Sequence, residues 1–157
     1  MQAETEVTAE PRTALPLAKV AVRLLSSIQE FGEVFYTRLV QRVGGLAIPI
    51  VVPAADYDGR PWKDGVERLK VMGYRKGPTG EDETTSEYCT RISGLMRVYF
   101  HILKLRPSNG PLYKMFQGPR YWTWFARMLS GQYRALCAGP GSAFLIHSES
   151  WLCFCDD

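Results

Sequence analysis

The chain lacks long apolar runs and has few of the residues by which several classes of protein are recognised. Its 157 residues include two histidines and four cysteines. No segment approaches the ~20 uninterrupted apolar residues of a membrane-spanning helix, and the polar, acidic N-terminus lacks the basic-then-apolar order of a secretory signal. Without a secretory segment, the cysteines are expected to be reduced thiols. We therefore expect a soluble intracellular protein that does not insert into a membrane.

Groups that carry out chemistry are also scarce. His101 has no carboxylate at helical spacing to orient it, so it is interpreted as a packed or surface histidine. His147, Cys153 and Cys155 do not form a zinc motif, because Cys-x-Cys is closer than the spacing of common structural sites. The glycines of GPTG and GPG neither follow a strand nor present a lysine, which argues against a phosphate loop. The sequence therefore predicts no catalytic residues, no metal ligands and no enzyme.

The stretch from 86 to 105 has the clearest helical pattern in the chain. Thr84 and Glu87 have the spacing of a capping box, and the helix is predicted to end at about Leu105, before Pro107. Gly94 costs about 1 kcal/mol against alanine in a helix interior, so we expect another backbone to pack closely there. The apolar residues at steps of three and four, predicted to be buried, are Tyr88, Ile92, Leu95, Met96, Tyr99, Ile102 and Leu103.

Four further helical segments and one extended segment complete the prediction. The helices run over about 15–30, 33–43, 62–72 and 119–129, and 46–61 is an extended buried connection because two prolines argue against a central strand. The predicted buried face of the first of these helices consists of Leu17, Val20, Leu24, Leu25 and Ile28. Short loops between helices favour an all-α fold, an incomplete irregular helical stack or HEAT-like α-solenoid. The predicted domain is 15–130, preceded by a flexible segment over 1–14 and followed by a tail over 131–157.

Four sequence blocks in a fixed order resemble a known family. The blocks are FGEVFYTRLVQRVGGLAIP at 31–49, ERLKVMGYRK at 67–76, TRISGLMRVYFHILKLR at 90–106 and GPRYWTWFARML at 118–129. Together they resemble the C-terminal domain of the GLFG-lethal nuclear-pore mRNA-export factors. The resemblance covers roughly Phe31 to Leu129, and the tail that follows, truncated or divergent, does not align with the family.

The resemblance implies a binding function in mRNA transport. In that family the domain binds and stimulates a DEAD-box RNA helicase, an ATPase, at the cytoplasmic face of the nuclear pore complex. It is expected to contact nucleoporins, to act on messenger ribonucleoprotein indirectly, and to be found in the nucleus and the cytoplasm. A partner of this kind acts by preferring one conformation of the helicase.

Basic residues near two helix ends are the candidate ligand-binding residues. Arg38 and Arg42 are four residues apart and so project from one helix face, while Arg75 and Lys76 follow the next helix. Guanidinium and ammonium groups suit phosphates. The resemblance implies inositol hexakisphosphate as a bridging cofactor, with Arg38 and Arg42 preferred over Arg75 and Lys76. Gln41 stands where relatives tend to carry a second basic residue, so one positive charge is missing.

Two other functions stay open from the sequence. The aromatic residues Tyr121, Trp122, Trp124 and Phe125 could form a base-stacking platform for RNA, although helical spacing is more typical of a core. By helical spacing, Trp124 is predicted to lie off the main apolar face of this helix. A helical RNA-binding module would require a basic stripe and a steep salt dependence, whereas a generic protein-interaction adaptor would bind helices or peptides without a nucleotide-linked effect.

Overall fold

The computed structural model describes residues 2–47, 58–77, 80–107 and 110–129, and these residues are predominantly helical. The helices are α1 (Gln2–Ala9), α2 (Ala14–Ser27), α3 (Phe31–Val43), α4 (Gly65–Met72), α5 (Thr85–Lys104) and α6 (Pro119–Leu129). Short 3-10 turns cover Pro11–Thr13, Gly44–Ala47 and Lys114–Phe116. The described ranges contain no β-strand, and an isolated antiparallel bridge joins Lys76 and Asp82. The predicted all-α class is confirmed.

None of the helices in these ranges combines the length and the apolar composition needed to cross a membrane. The greater part of the predicted extended connection, 48–57, and the tail 131–157 lie outside the described residues. The domain limits at 15 and 130 therefore stay predictions.

Helix α5 forms the centre of the fold. The predicted capping box is present: the Glu87 amide donates to Thr84 Oγ1 at 3.3 Å, and the Thr84 amide donates to Glu87 Oε2 at 2.9 Å. Helices α1, α2, α3 and α6 all pack against α5. Its buried residues are Tyr88, Arg91, Ile92, Gly94, Met96, Tyr99, Phe100, Ile102 and Leu103. Leu95, which was predicted to be buried, is only partly covered.

Helix α1 corrects the prediction of a flexible N-terminal segment. Residues 2–9 are helical, and Val7 is 1% exposed. A Cβ added at Gly94 would lie 3.0 Å from Val7 Cγ1 and 3.2 Å from the Val7 carbonyl oxygen. The predicted close backbone approach at Gly94 is confirmed, and the approaching backbone is that of α1. Composition was misleading here because this largely polar helix buries Val7 against Gly94 of α5.

Helix α2 confirms the predicted burial of Leu25, which is 6% exposed, but most of its buried side differs from the predicted one. Its buried residues are Ala14, Ala18, Ala21, Val22 and Leu25. The predicted core residues Val20, Leu24 and Ile28 are 54%, 40% and 47% exposed. Small alanine side chains allow the α2 backbone to lie close to α5, so the alanine stripe faces the core although the opposite side carries larger apolar residues.

Helix α6 divides the aromatic set. Trp124 is 5% exposed and packs edge-on against Phe100, with ring centroids 4.8 Å apart. Trp122 is 73% exposed. The prediction that Trp124 lies off the apolar face is wrong; Trp122 occupies that position. A base-stacking platform made of the whole set does not fit this arrangement, because its members do not share an open face.

Candidate anion-binding site

Two glycines bring the ends of α3 and α4 into contact. Gly44 has a φ of 62° and Gly73 a φ of 93°, in the region that side chains disfavour. A Cβ at Gly44 would lie 2.5 Å from the Met72 carbonyl oxygen, and one at Gly73 would lie 3.0 Å from the Gly44 nitrogen. The backbones can touch only because both residues are glycine. Consequently the last turn of α3 and the residues after α4 lie side by side.

Arg91 of α5 fastens these two ends together. Its guanidinium donates from Nη1 to the Arg42 carbonyl oxygen at 2.8 Å and from Nη2 to the Gly73 carbonyl oxygen at 2.9 Å. The same group donates to both carboxylate oxygens of Glu83, from Nε at 2.8 Å and from Nη2 at 2.7 Å. Arg91 is 7% exposed. A two-pronged, charge-assisted pair with two further backbone acceptors fixes three chain segments at one point.

The surroundings keep Arg91 charged. Burial lowers the pKa of Arg91, but the hydrogen bonds and charge of Glu83 outweigh it, and the pKa is raised overall. The guanidinium also lies over the Tyr88 ring at 5.6 Å from the centroid. Tyr88 donates its hydroxyl to the Met72 carbonyl oxygen at 2.9 Å and stacks on Tyr74, with centroids 3.9 Å apart. The ends of α3 and α4 therefore rest on a rigid, hydrogen-bonded base.

The sequence prediction missed Arg91 and Glu83. A signal was available, because Arg91 stands three residues after Tyr88 and next to Ile92, on the apolar face of α5. A charge on a buried face requires a partner. Glu83 stands directly before Thr84, the capping residue of α5, and an acid at a helix N-terminus has a local explanation that hides its pairing with Arg91.

On this base Arg42 and Arg75 converge on the carboxylate of Glu4 from α1. Arg75 Nη1 lies 2.6 Å from Glu4 Oε1, and Arg42 Nη1 lies 3.7 Å from Glu4 Oε2. The side chains of Arg42 and Arg75 are 34% and 32% exposed, whereas that of Glu4 is 12% exposed. Glu4 Oε1 and Arg75 Nη2 are buried without an aligned hydrogen bond, so the contact is a close ion pair rather than a two-pronged one. We call Arg42 and Arg75 the arginine pair.

The other two predicted binding residues are exposed. Arg38 lies one turn before Arg42 and donates from Nη1 to Gln41 Oε1 at 3.2 Å. Lys76 directly follows Arg75, and its backbone bridges to Asp82. The structure thus brings Arg42 and Arg75 together through Glu4 and places Arg38 and Lys76 next to them along the chain. Their assignment as phosphate ligands stays a prediction.

A second basic group lines a separate cavity of about 250 Å³ between α2 and the segment after α5. Lys19, Arg23 and Arg106 contribute its charges, and the cavity shares no residue with the arginine pair. The hydroxyl of Ser26, which also lines it, donates to a backbone carbonyl of α2. The cavity is smaller than the roughly 300–1,000 Å³ of usual small-molecule sites. It supplies charge-matched control positions for experiments on the arginine pair.

The described part of the chain contains no group of three or more side chains that could hold a metal ion. Cys89 is a free, half-buried thiol, and burial raises its pKa, which disfavours the reactive thiolate. His147, Cys153 and Cys155 lie outside the described residues.

Comparison with known proteins identifies similar sequences. A family model described as GLE1-like protein matches residues 1–140, beyond both ends of the region 31–129. The mRNA export factor Gle1 of Drosophila melanogaster is 28% identical over 130 residues, which cover 82% of this chain and 18% of that protein. The mRNA export factor gle1 of Schizosaccharomyces pombe is 32% identical over 131 residues, which cover 82% of this chain and 23% of that protein. The chain therefore spans about a fifth of the length of these relatives.

Two solved structures are similar in fold and in sequence. Each has a TM-score of 0.64 and 27% identity, and the match covers 81% of this chain and 41% of the matched chain. Both are complexes of a variant C-terminal domain of Saccharomyces cerevisiae Dbp5 bound to Gle1 and IP6, and in one of them Gle1 carries a substitution.

Proposed function

Because the chain belongs to the GLE1-like protein family, we propose that it is the helicase-binding part of an mRNA export factor. In this proposal it binds a DEAD-box ATPase, stimulates it and acts at the cytoplasmic face of the nuclear pore. Contacts with nucleoporins and an indirect action on messenger ribonucleoprotein belong to the same proposal. The observation that carries it is the likeness, over 81% of the chain, to structures of Gle1 with Dbp5 and IP6. The chain acts by binding and not by catalysis.

The proposed mechanism is differential binding. A helical scaffold that contacts the ATPase can raise its turnover only if it binds one nucleotide state or one conformation better than another. The rigid joint between α3, α4 and α5 suits this role, since Arg91 holds three segments in one arrangement. A rigid surface loses little conformational entropy on binding.

We further propose that inositol hexakisphosphate bridges the chain to the ATPase at the arginine pair, with Arg38 and Lys76 at its edge. Two guanidinium groups already meet around one carboxylate there, so the site can hold an anionic oxygen between them. Their partial exposure leaves one side open to a ligand that also touches a partner. Highly charged phosphates favour such clustered arginines.

The decisive experiment measures ATPase stimulation of the cognate helicase with and without inositol hexakisphosphate. We expect stimulation by the wild-type chain that increases with the polyphosphate. The double variant Arg42→Ala with Arg75→Ala should lose the increase, and so should Arg38→Ala with Arg42→Ala to a smaller extent. Lys19→Ala with Arg23→Ala, which removes two charges from the second basic group, serves as the matched control and should behave like wild type.

Two results would contradict the proposal. If the wild-type chain neither binds nor stimulates the ATPase, the helicase function is wrong. If binding is normal but the arginine-pair variant responds to the polyphosphate as the control does, the ligand site is wrong. A steeply salt-dependent affinity for single-stranded RNA without any effect on the ATPase would instead favour the RNA-binding alternative.

A further inference from the structure

We propose that Glu4 is an internal competitor for the anion site, so that a polyphosphate must displace this carboxylate, and with it α1, before it can occupy the arginine pair. The inference rests on the proposed polyphosphate site and adds a residue that regulates it. Glu4 would set the affinity and would couple ligand binding to the position of the N-terminal helix.

The geometry places Glu4 where a phosphate oxygen would lie. Its two carboxylate oxygens face different guanidinium groups, Oε1 towards Arg75 at 2.6 Å and Oε2 towards Arg42 at 3.7 Å. A carboxylate that lies between two arginines occupies the position through which they would share a phosphate. Only 12% of the Glu4 side chain is exposed, so the carboxylate fills the space between the two guanidinium groups, and a phosphate oxygen can occupy that space only when Glu4 leaves it.

The charges at the site also indicate that Glu4 opposes binding of a polyphosphate. The arginine pair carries two positive charges, and Glu4 removes one of them, which leaves a net charge of +1. A polyphosphate approaching the occupied site meets a negative carboxylate in its centre, and like charges in contact destabilise binding. Removing that charge should therefore strengthen binding, and moving it away should do the same.

Glu4 is not free to swing out independently. One turn later on α1, Val7 is 1% exposed and packs on Gly94, with its Cγ1 atom 3.0 Å from where a Cβ would stand. The same helix makes no other buried large-residue contact among the side chains described in it. Among the described side chains of α1, Val7 makes a buried apolar contact with α5, and Glu4 makes the ionic contact with the arginine pair. Loss of the ionic contact to a ligand detaches α1 from the arginine pair and leaves the apolar contact at Gly94 in place.

The contact between Glu4 and Arg75 is also imperfect, so a phosphate can replace the carboxylate. Glu4 Oε1 and Arg75 Nη2 are buried without a well-aligned hydrogen bond. Buried polar atoms that lack a partner cost stability. A phosphate with several oxygens can satisfy both guanidinium groups at once, whereas a single carboxylate at these distances does not.

The test is titration calorimetry of the full chain with inositol hexakisphosphate as the probe. Glu4→Gln keeps the size and polarity of the side chain but removes its charge, and it should raise the affinity about fivefold, equivalent to about 1 kcal/mol. Glu6→Gln is the matched control, because Glu6 is an exposed acid of the same helix. It changes the net charge equally and should leave the affinity within about 1.5-fold of wild type.

A second measurement needs no variant. Hydrogen exchange of the α1 amides should become faster when the polyphosphate saturates the wild-type chain, because the helix has lost its ionic contact. Amides of α5 should keep their protection and report that the fold is intact.

A third test changes the apolar contact of α1. Gly94→Ala should raise the affinity for the polyphosphate, as Glu4→Gln does, because its methyl group pushes α1 away from its position.

The outcomes separate this inference from the proposed function. If wild type binds the polyphosphate but Glu4→Gln binds no more tightly than Glu6→Gln, or if α1 becomes more protected on saturation, the competitor role is wrong and the site stands. If wild type does not bind and Glu4→Gln does, Glu4 blocks the site. If neither binds, the polyphosphate site and the competitor role fall together, while stimulation of the ATPase remains a separate test of the helicase function.

Discussion

Replacing Arg91 with alanine removes the guanidinium that joins α3, α4 and the start of α5. The change leaves the Glu83 carboxylate, 12% exposed, without its ionic partner and leaves the carbonyl oxygens of Arg42 and Gly73 without the donors that Arg91 supplies. Removing one member of a buried ion pair costs about 3–5 kcal/mol. Because domains are stable by only about 5–15 kcal/mol, this is a large fraction of the total.

The assay is urea unfolding of the wild-type chain and the variant, followed by circular dichroism. In a separate thermal scan, the same loss of about 3–5 kcal/mol in unfolding free energy should lower the thermal midpoint by about 6–20 °C, at roughly 2–4 °C per kcal/mol for a chain of this size. Arg23→Ala is the control, an exposed arginine on α2, and should change the unfolding free energy by less than about 0.5 kcal/mol. Both variants should have the same helical content at low temperature.

A double-mutant cycle isolates the charge effect. Adding Glu83→Gln to Arg91→Ala removes the unpaired carboxylate and should recover at least about 1 kcal/mol, while the two unpaired carbonyls continue to cost about 1–3 kcal/mol each. A loss below about 1 kcal/mol for Arg91→Ala would refute the reasoning. So would a double variant less stable than Arg91→Ala alone.

Three further predictions concern other parts of the fold, and all are measured by chemical unfolding. Trp124→Ala should cost about 3–5 kcal/mol because the ring is buried, whereas Trp122→Ala should cost less than about 0.5 kcal/mol because that ring is 73% exposed; equal losses would contradict the assignment of the buried ring. Gly44→Ala should cost about 2 kcal/mol or more, since its φ is 62° and the new methyl group would lie 2.5 Å from a carbonyl oxygen; an unchanged midpoint would show that the joint relaxes freely. Hydrogen bonds from the Thr84 side chain and then from its backbone lower the pKa of Glu87 in the folded chain. The stabilisation of the fold by this cap is therefore present above the unfolded-state pKa of about 4.3 and is lost as the pH falls through the lower folded-state pKa. The advantage of wild type over Thr84→Ala should accordingly shrink below about pH 4, and a constant difference from pH 7 to pH 3 would argue against this cap.

The helix positions could be predicted where local signals agree. For α5 the capping box, the apolar spacing and the following proline all point to the observed limits, Thr85–Lys104. Helix α6 was predicted with its observed bounds, Pro119–Leu129. Starts without a strong cap were less accurate: α4 begins at Gly65, where Asp64 accepts from the Val66 amide at 3.2 Å, three residues after the predicted start.

The choice of buried face could not be predicted from hydrophobicity alone. On α2 the prediction of a buried Leu25 is confirmed, but the side that packs on α5 is otherwise made of Val22 and the alanines at 14, 18 and 21, because small side chains allow the two helices to lie close together. The contact of Val7 with Gly94 joins residues far apart in sequence, and Gly94 alone reveals that something approaches without revealing what. Helix propensity and apolar spacing indicate where a helix forms but not which elements pack against it.

The candidate site was predictable in part for the same reason. Helical spacing suggested Arg42, and the position after α4 suggested Arg75, as residues near helix ends. Their meeting depends on the two glycines at 44 and 73 and on a carboxylate from α1, none of which has a local pattern that names its partner. Long-range ion pairs follow from the assembled fold.

The fastening of α3 and α4 by Arg91 has a consequence for synthesis on the ribosome. Translation proceeds from the N-terminus, so Glu4, Arg42 and Arg75 are all made before the residue that holds them in register. A nascent chain that has not yet exposed α5 carries the three charges without the geometry, and its basic residues are open to any polyanion nearby, including RNA. Completion of α5 brings these separate charges into the arrangement that they have in the folded chain.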